Sequence, residues 1–138
     1  MTTDHRDEDV WHVLVIDDDA GVRQVTTLVL RNVKVLGRRL QFHEASSRAE
    51  AQAFLESPHP PIALMIVDLM METDTAGLEL VEWVRAQERL RPSRVVVRTG
   101  ESGTTSPSAV LQGYDISDYW PKTSVLASRM KIQIAGLI

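Results

Sequence analysis

Three carboxylates follow one another directly after an apolar run, at Asp17, Asp18 and Asp19 in the segment VIDDDAGVR. Adjacent like charges repel one another, so such a cluster does not stabilise a fold by itself. A hard divalent cation removes that cost, because Mg²⁺ prefers oxygen ligands and needs only one or two carboxylates together with phosphate oxygens. The cluster therefore predicts a site for a divalent cation and for phosphate chemistry.

Further polar residues stand where other apolar runs end. Asp68 ends IALMIVD, Thr99 ends RVVVRT, and Lys122 follows ISDYWP. Taken singly, each has a bland explanation, such as helix capping by an acid, and we expect Asp19 to cap the helix that follows it. Taken together, a carboxylate nucleophile, a hydroxyl donor and an ammonium charge are typical of phosphoryl transfer.

The segments that must position these residues alternate between two kinds. Short, nearly continuous apolar runs predict strands of a parallel sheet covered on both faces. Longer segments between them have helical periodicity, and β-α alternation indicates right-handed crossovers. The predicted fold class is α/β, a doubly wound five-stranded parallel sheet with helices on both faces. The predicted strands are 12–16, 40–45, 62–67, 94–99 and 116–120, and the predicted helices are 20–35, 46–56, 77–90, 106–112 and 123–137.

Two details of these helices are open to a structural check. The first helix places Val22, Val25, Val29 and Val33 at helical spacing, which predicts its buried face. The second helix starts with Ser46 as its N-cap candidate.

In doubly wound folds the ligand site lies beyond the carboxyl ends of the strands. Five polar residues are therefore expected at one edge of the sheet: Asp17, Asp18, Asp68, Thr99 and Lys122.

The bulk properties narrow the class of protein. The chain has 138 residues, a formal net charge of −4 and no cysteine. It lacks the basic stripe of nucleic-acid-binding proteins, the thiolates of a disulfide or a soft-metal site, and an apolar run that could span a membrane or target secretion. We expect a cytoplasmic protein with neither a nucleic-acid nor a membrane partner. Residues 1–10 are predicted to be a disordered tail and 11–138 one domain.

The order of an acidic pair, an aspartate, a threonine and a lysine on this fold resembles the receiver domain of two-component response regulators. The segments VLVIDDDAGVR, MIVDLMM, GLELV and YWPK carry the resemblance, which covers the chain from about Trp11 onwards. It implies the flavodoxin-like strand order 2-1-3-4-5. The segments METDTAGLELV, VRTGE and YDISDYWPKT resemble the receivers found at the N-terminus of multidomain cyclic-di-GMP regulators.

The resemblance also implies roles for individual residues. Asp68 would be the phosphoacceptor, and Thr99 and Lys122 would hold the phosphoryl group. The implied Mg²⁺ ligands are the carboxylates of Asp17, Asp18 and Asp68 and the backbone carbonyl of Met70.

A conformational switch and a set of partners are implied as well. Thr99 would move towards the phosphoryl group and Tyr119 would fill the vacated space, which changes the surface of the fourth helix, fifth strand and fifth helix. The partners would be a histidine kinase or histidine phosphotransfer protein, with an output domain in cis or a separate partner protein, and a possible homodimer.

Three departures from the usual receiver pattern keep alternatives open. Position 72 is Glu where most receivers have Pro, Gly77 comes one residue later than usual, and Lys122 is followed by Thr123 rather than Pro. One alternative is a pseudo-receiver, an interaction module that is not regulated by phosphorylation. Another is a haloacid-dehalogenase-type phosphatase, because Asp17 and Asp19 match its Asp-x-Asp motif.

Overall fold

The computed structural model describes residues 10–69, 71, 73, 75–99, 116 and 118–121, and for residues 99 and 118–121 it describes the backbone. The strands are β1 (Val10–Ile16), β2 (Lys34–Val35), β3 (Arg38–Ala45), β4 (Ile62–Asp68), β5 (Arg94–Thr99) and β6 (Asp118–Pro121). The helices are α1 (Ala20–Leu30), α2 (Arg48–Glu56) and α3 (Ala76–Ala86), followed by a short 3₁₀ turn at Glu88–Leu90. The predicted helices at 106–112 and 123–137 lie outside the described residues.

The strands form one sheet in the order β2-β3-β1-β4-β5-β6. All pairs are parallel except the outermost one, in which β2 runs antiparallel to β3. The five parallel strands have the order 2-1-3-4-5 when they are counted alone, so the predicted fold class is confirmed. The two-residue strand β2 is an addition that the sequence pattern did not predict.

The sheet separates two apolar cores, because alternate side chains of each strand point to opposite faces. On one face Leu14 and Ile16 of β1 pack with α2 and α3, through residues such as Leu55 and Leu80. On the other face Val13 and Val15 pack with Leu30 of α1. Helices therefore cover both faces, and the central strand β1 is buried on both sides, as its continuous apolar sequence predicted.

The first helix is shorter than predicted, and the face that it buries differs from the predicted one. It ends at Leu30, and its buried residues are Thr26 and Leu30, whereas Val25 is 59% exposed. The predicted buried stripe was therefore wrong at Val25, although Val29 and Val33 do pack against the core. The buried polar residue Thr26 has a hydrogen-bond partner on strand β5, described below, which explains why a hydroxyl occupies this position.

The chain after α1 forms a tight hairpin instead of continuing as a helix. Leu36 and Gly37 connect β2 to β3, and both have positive φ, at 53° and 78°. Positive φ at both central residues is the requirement of a two-residue type I′ turn, and it stops a helix. Trp11 packs at this corner, since its indole N–H donates to the carbonyl of Val35 at 2.8 Å and Arg38 lies over its ring.

The second helix begins one residue later than its predicted cap. Ser47, not Ser46, is the N-cap, and its hydroxyl accepts from the Glu50 N–H at 3.0 Å. The Glu50 carboxylate accepts in return from the Ser46 N–H at 2.9 Å. This reciprocal arrangement resembles a capping box, and it assigns the two serines different roles.

Candidate functional site

The carboxyl ends of β1 and β4 lie side by side, because Ile16 pairs with Val67 in the parallel register. Asp17 and Asp68 follow at this edge, and Asp18 comes next in the chain. The three side chains each offer a carboxylate oxygen, and these oxygens all lie within 4.8 Å of one another. Asp17 and Asp68 are buried, at 2% and 1% exposure, and Asp18 is exposed. The predicted convergence of these residues is therefore found.

Hydrogen bonds with three other residues hold Asp17 in place. The Asp19 N–H donates to Oδ1 of Asp17 at 2.9 Å, and the Asp17 N–H donates to the carbonyl of Ala45 at 3.1 Å. The guanidinium of Arg23 donates to the Asp17 carbonyl at 2.6 Å and pairs with Glu44 of β3 at 3.0 Å. The loop between β1 and α1 is thereby tied to β3.

Asp19 lies next to the cluster in sequence but has a different role. Its Oδ1 accepts from the N–H groups of Gly21 at 2.8 Å and Val22 at 3.3 Å, which makes it the N-cap of α1. The expectation that Asp19 caps the helix is confirmed. Because its carboxylate is used in this way and the other aspartate in the cluster is Asp68, the geometry does not favour the Asp-x-Asp arrangement of Asp17 and Asp19.

Gly77 allows α3 to approach the end of β4. Its N–H donates to the carbonyl of Leu69 at 3.0 Å. A Cβ at this position would collide with the backbone carbonyl oxygen of Asp68 and would lie 2.8 Å from that of Leu69. Only glycine permits this contact. Gly77 therefore packs against the carboxyl end of β4, although it comes one residue later in the sequence than the glycine of most receivers.

A buried arginine that the sequence analysis did not identify lies next to the acidic cluster. Arg98 is the register partner of Asp68 on β5, and it is only 6% exposed. Its Nη1 donates to Oγ1 of Thr26 at 2.9 Å. Burial lowers the pKa of Arg98, and the negative charges of Asp17 and Asp68 partly offset that effect. The signal in the sequence was a charged residue between Val97 and Thr99, directly after three consecutive valines.

The remaining predicted site residues are described only in part. Thr99 ends β5, and its backbone pairs with Pro121, the residue that precedes Lys122 in the chain. Tyr119 lies on β6, in register with Val97. Lys122 and Met70 lie outside the described residues, so their predicted roles stay predictions.

The donor set fits a hard divalent cation. Three carboxylates converge at the end of a sheet, two of them buried and one facing solvent, and no nitrogen or sulfur ligand is among them. Oxygen-only sites with few protein ligands suit Mg²⁺ or Mn²⁺. Asp17, Asp18 and Asp68 are the described residues that could hold such an ion, and a bound ion would offset their mutual repulsion.

Sequence similarity relates the chain to a curated protein. No family model matches the chain. The chain is 34% identical over 131 residues to 3'3'-cGAMP-specific phosphodiesterase 2 of Vibrio cholerae serotype O1, a match that covers 95% of this chain and 25% of that protein. The chain thus spans about a quarter of the length of that curated relative.

Solved structures of response regulators share the architecture. A probable two-component system response regulator/GGDEF domain protein is 26% identical, with a TM-score of 0.74 over 91% of this chain and 48% of that one. The Mn²⁺-bound form of response regulator Rcp1 is 20% identical, with a TM-score of 0.70 over 91% of this chain and 90% of that one. The chain has the fold of response regulator receiver domains, and the resemblance predicted from its sequence is confirmed.

Among the described residues, no helix has both the length and the apolar character that crossing a bilayer requires.

Proposed function

We propose that this chain is the phosphoacceptor domain of a two-component response regulator and that Asp68 accepts the phosphoryl group. The observation that carries the proposal is the convergence of Asp68 with Asp17 and Asp18 at the carboxyl edge of a receiver-type sheet. Such a site combines a nucleophile with the ligands of a divalent cation, which are the two requirements for transfer to a carboxylate.

The proposed reaction starts from a phosphohistidine on a histidine kinase or histidine phosphotransfer protein docked over this edge. An oxygen of Asp68 attacks the phosphorus in line, the new O–P bond forms, and the P–N bond to histidine breaks. A divalent cation held by Asp17, Asp18 and Asp68 would supply positive charge against the phosphoryl oxygens. Thr99 and Lys122 are proposed to hold the remaining oxygens. The product is an acyl phosphate with a charge of about −2.

Signalling would follow from the new charge at Asp68. We propose that Thr99 moves towards the phosphoryl group and that Tyr119 fills the space behind it, which shifts the population between two surfaces. Hydrolysis of the acyl phosphate would restore the first state. The backbone supports this coupling, since Thr99 and Tyr119 lie on neighbouring parallel strands.

The output of the signal is proposed from the relatives. This chain matches 25% of the Vibrio phosphodiesterase and 48% of the GGDEF protein, so both relatives contain further segments. We propose that this chain is likewise a receiver domain that controls an output domain, in cis or in a separate protein.

The test is phosphorylation by a small-molecule donor. The protein is incubated with Mg²⁺ and acetyl phosphate, and the intact mass is measured for the wild type, Asp68→Asn and Asp19→Asn. We expect one added phosphoryl group on the wild type and on Asp19→Asn, because Asn is as good a helix cap as Asp. We expect none on Asp68→Asn, and none on any of them when the metal is chelated.

The opposite result would identify the pseudo-receiver. If the wild type gains no phosphoryl group from acetyl phosphate or from a second small donor, Asp68 is not a functional acceptor. An equal gain on Asp68→Asn would place the acceptor elsewhere.

A further inference from the structure

Arg98 is a charged residue inside the sheet, one position before the end of β5. Its neighbours on the same strand, Val96 and Val97, are fully buried. Backbone pairing fixes it beside the acceptor strand, since Asp68 is its register partner and the Leu69 N–H donates to its carbonyl at 2.9 Å. An arginine this deeply buried is costly unless nearby groups compensate its charge.

Two kinds of group provide that compensation. On the α1 side, the Thr26 hydroxyl accepts from Nη1 of Arg98 at 2.9 Å and donates to the Val22 carbonyl at 2.9 Å. Both hydrogen-bonding functions of that hydroxyl are therefore used. On the side of the site, Asp17 and Asp68 interact with the Arg98 charge, and both are buried. The guanidinium is thus bonded to the first helix, and the register of β4 and β5 places it next to Asp68 of the acidic cluster.

We propose that Arg98 is a permanent counter-cation of the acidic site, which stabilises the two buried carboxylates when no metal is bound and weakens the binding of a divalent cation. The inference deepens the proposed function, because it rests on the proposed cation site. Arg98 is a positioning residue: it acts on Asp17 and Asp68 and does not contact the phosphoryl group. The hydrogen bond to Thr26 fixes the guanidinium, so that the charge stays on the side of the sheet that α1 covers.

The reason is electrostatic competition. A divalent ion bound by Asp17, Asp18 and Asp68 gains less from carboxylates whose charge is already partly neutralised, and it is also repelled by the guanidinium. Removing one positive charge several ångströms from a divalent ion, in a partly solvated site, strengthens its binding about tenfold. The metal-free protein loses stability at the same time, because the buried carboxylates lose their internal partner.

The experiment measures Mg²⁺ binding by calorimetry and thermal unfolding with Mg²⁺ or with chelator, without any phosphodonor. Arg98→Met removes the charge with a flexible side chain of similar length, and Arg98→Gln removes the charge but keeps a donor for Thr26. Arg98→Lys is the control that keeps the charge. We expect Met and Gln to lower the Mg²⁺ dissociation constant about tenfold and to widen the gap in Tm between Mg²⁺ and chelator. We expect Lys to behave like the wild type in both measurements.

Results that differ from these expectations also decide whether Arg98 weakens the binding of Mg²⁺. Unchanged or weaker Mg²⁺ binding in folded Met and Gln variants overturns the proposal, and so does a tenfold change in the Lys variant. If the charge-neutral variants unfold in chelator, refolding by excess Mg²⁺ supports the proposal, and failure to refold contradicts it. If the wild type binds no Mg²⁺, binding gained by the neutral variants supports a blocking role for Arg98, and no gain refutes it. This experiment contains no phosphodonor, so its result does not depend on phosphorylation. A protein that binds Mg²⁺ here but gains no phosphoryl group from acetyl phosphate contradicts the proposed function alone.

Discussion

Asp18 and Asp19 are adjacent in the chain, yet their carboxylates serve different purposes. Asp18 faces the cluster with Asp17 and Asp68, whereas Asp19 turns back onto the first N–H groups of α1. The division follows from the point at which the strand ends and the helix begins, because the cap residue must have an extended backbone and direct its oxygen at the helix. One residue of difference in position therefore separates a candidate metal ligand from a structural cap.

Gly77 is the residue at which we expect the smallest chemical change to have a large effect. We predict that Gly77→Ala lowers the free energy of unfolding by about 2 kcal/mol or more, because the added methyl group would meet the backbone of Asp68 and Leu69 and no flexible side chain can yield. Urea unfolding followed by circular dichroism measures this. Gly21→Ala is the matched control, since its methyl group would meet Oδ1 of Asp19, a side-chain atom, at 3.2 Å, and we expect a change within about 1 kcal/mol. Equal effects of the two substitutions would contradict the packing argument.

At the scale of elements, the turn between β2 and β3 contains a residue whose backbone preference disagrees with the structure. Leu36 is 81% exposed and has a φ of 53°. A side chain with a Cβ is disfavoured in this region by roughly 1–2 kcal/mol, and asparagine tolerates it much better than leucine does. The turn is nevertheless kept, because it places Val35 in the core and lets β2 pair with β3.

We predict that Leu36→Asn raises the free energy of unfolding by about 0.5–1 kcal/mol, since it relieves the backbone at small cost in buried apolar area. Leu28→Asn is the control, because Leu28 is also exposed, at 56%, but lies within α1. There we expect a loss of about 0.5 kcal/mol from lower helix propensity. Thermal unfolding of both variants gives the two signs, and a destabilised Leu36→Asn would show that the leucine side chain contributes a contact that outweighs the strain.

At the scale of the whole molecule, a row of aromatic rings lies between the sheet and α2, away from the acidic edge. Nδ1 of His12 and Nε2 of His43 are 3.0 Å apart, and the rings of Phe54 and His59 continue the row. One of the two facing nitrogens must accept a hydrogen bond, so both imidazoles cannot be cationic without placing two donors face to face. Burial, followed by the charges of His12 and His59, lowers the pKa of His43 below 6.5.

This lowered pKa predicts a pH dependence with a definite sign. The folded protein binds fewer protons at His43 than the unfolded chain, so this contribution to stability is fully present above pH 6.5 and declines as the pH falls below that value. We expect the stability of His43→Gln to fall less steeply than that of the wild type between pH 6.5 and the folded-state pKa of His43. Urea midpoints measured across this range test it, since the titrating groups outside this row of rings contribute equally to both proteins. Parallel curves would mean that His43 titrates alike in the folded and unfolded states.

Much of this architecture could be predicted from the sequence, because continuous apolar strands and strand-end acids are local signals. The parallel sheet and the convergence of Asp17, Asp18 and Asp68 followed from them, whereas the strand order followed from the resemblance to receiver domains. The end of α1 at Leu30 could not, since Val33 continues the helical spacing although valine, as a β-branched residue, also suits a strand. Nor could the link between Arg98 and Thr26, because it joins residues 72 positions apart and depends on which face of β5 meets α1.

The central position of β1 has a consequence for how the chain is made. Its two neighbours are β3 and β4, so the first strand to be synthesised receives its second partner only after residue 68 has been added. Until then, one side of the apolar segment VWHVLVI is an open row of N–H and C=O groups, which is a template for pairing between molecules. Translation that stops between α2 and β4 would therefore release a species with an unpaired apolar strand, which is prone to aggregate.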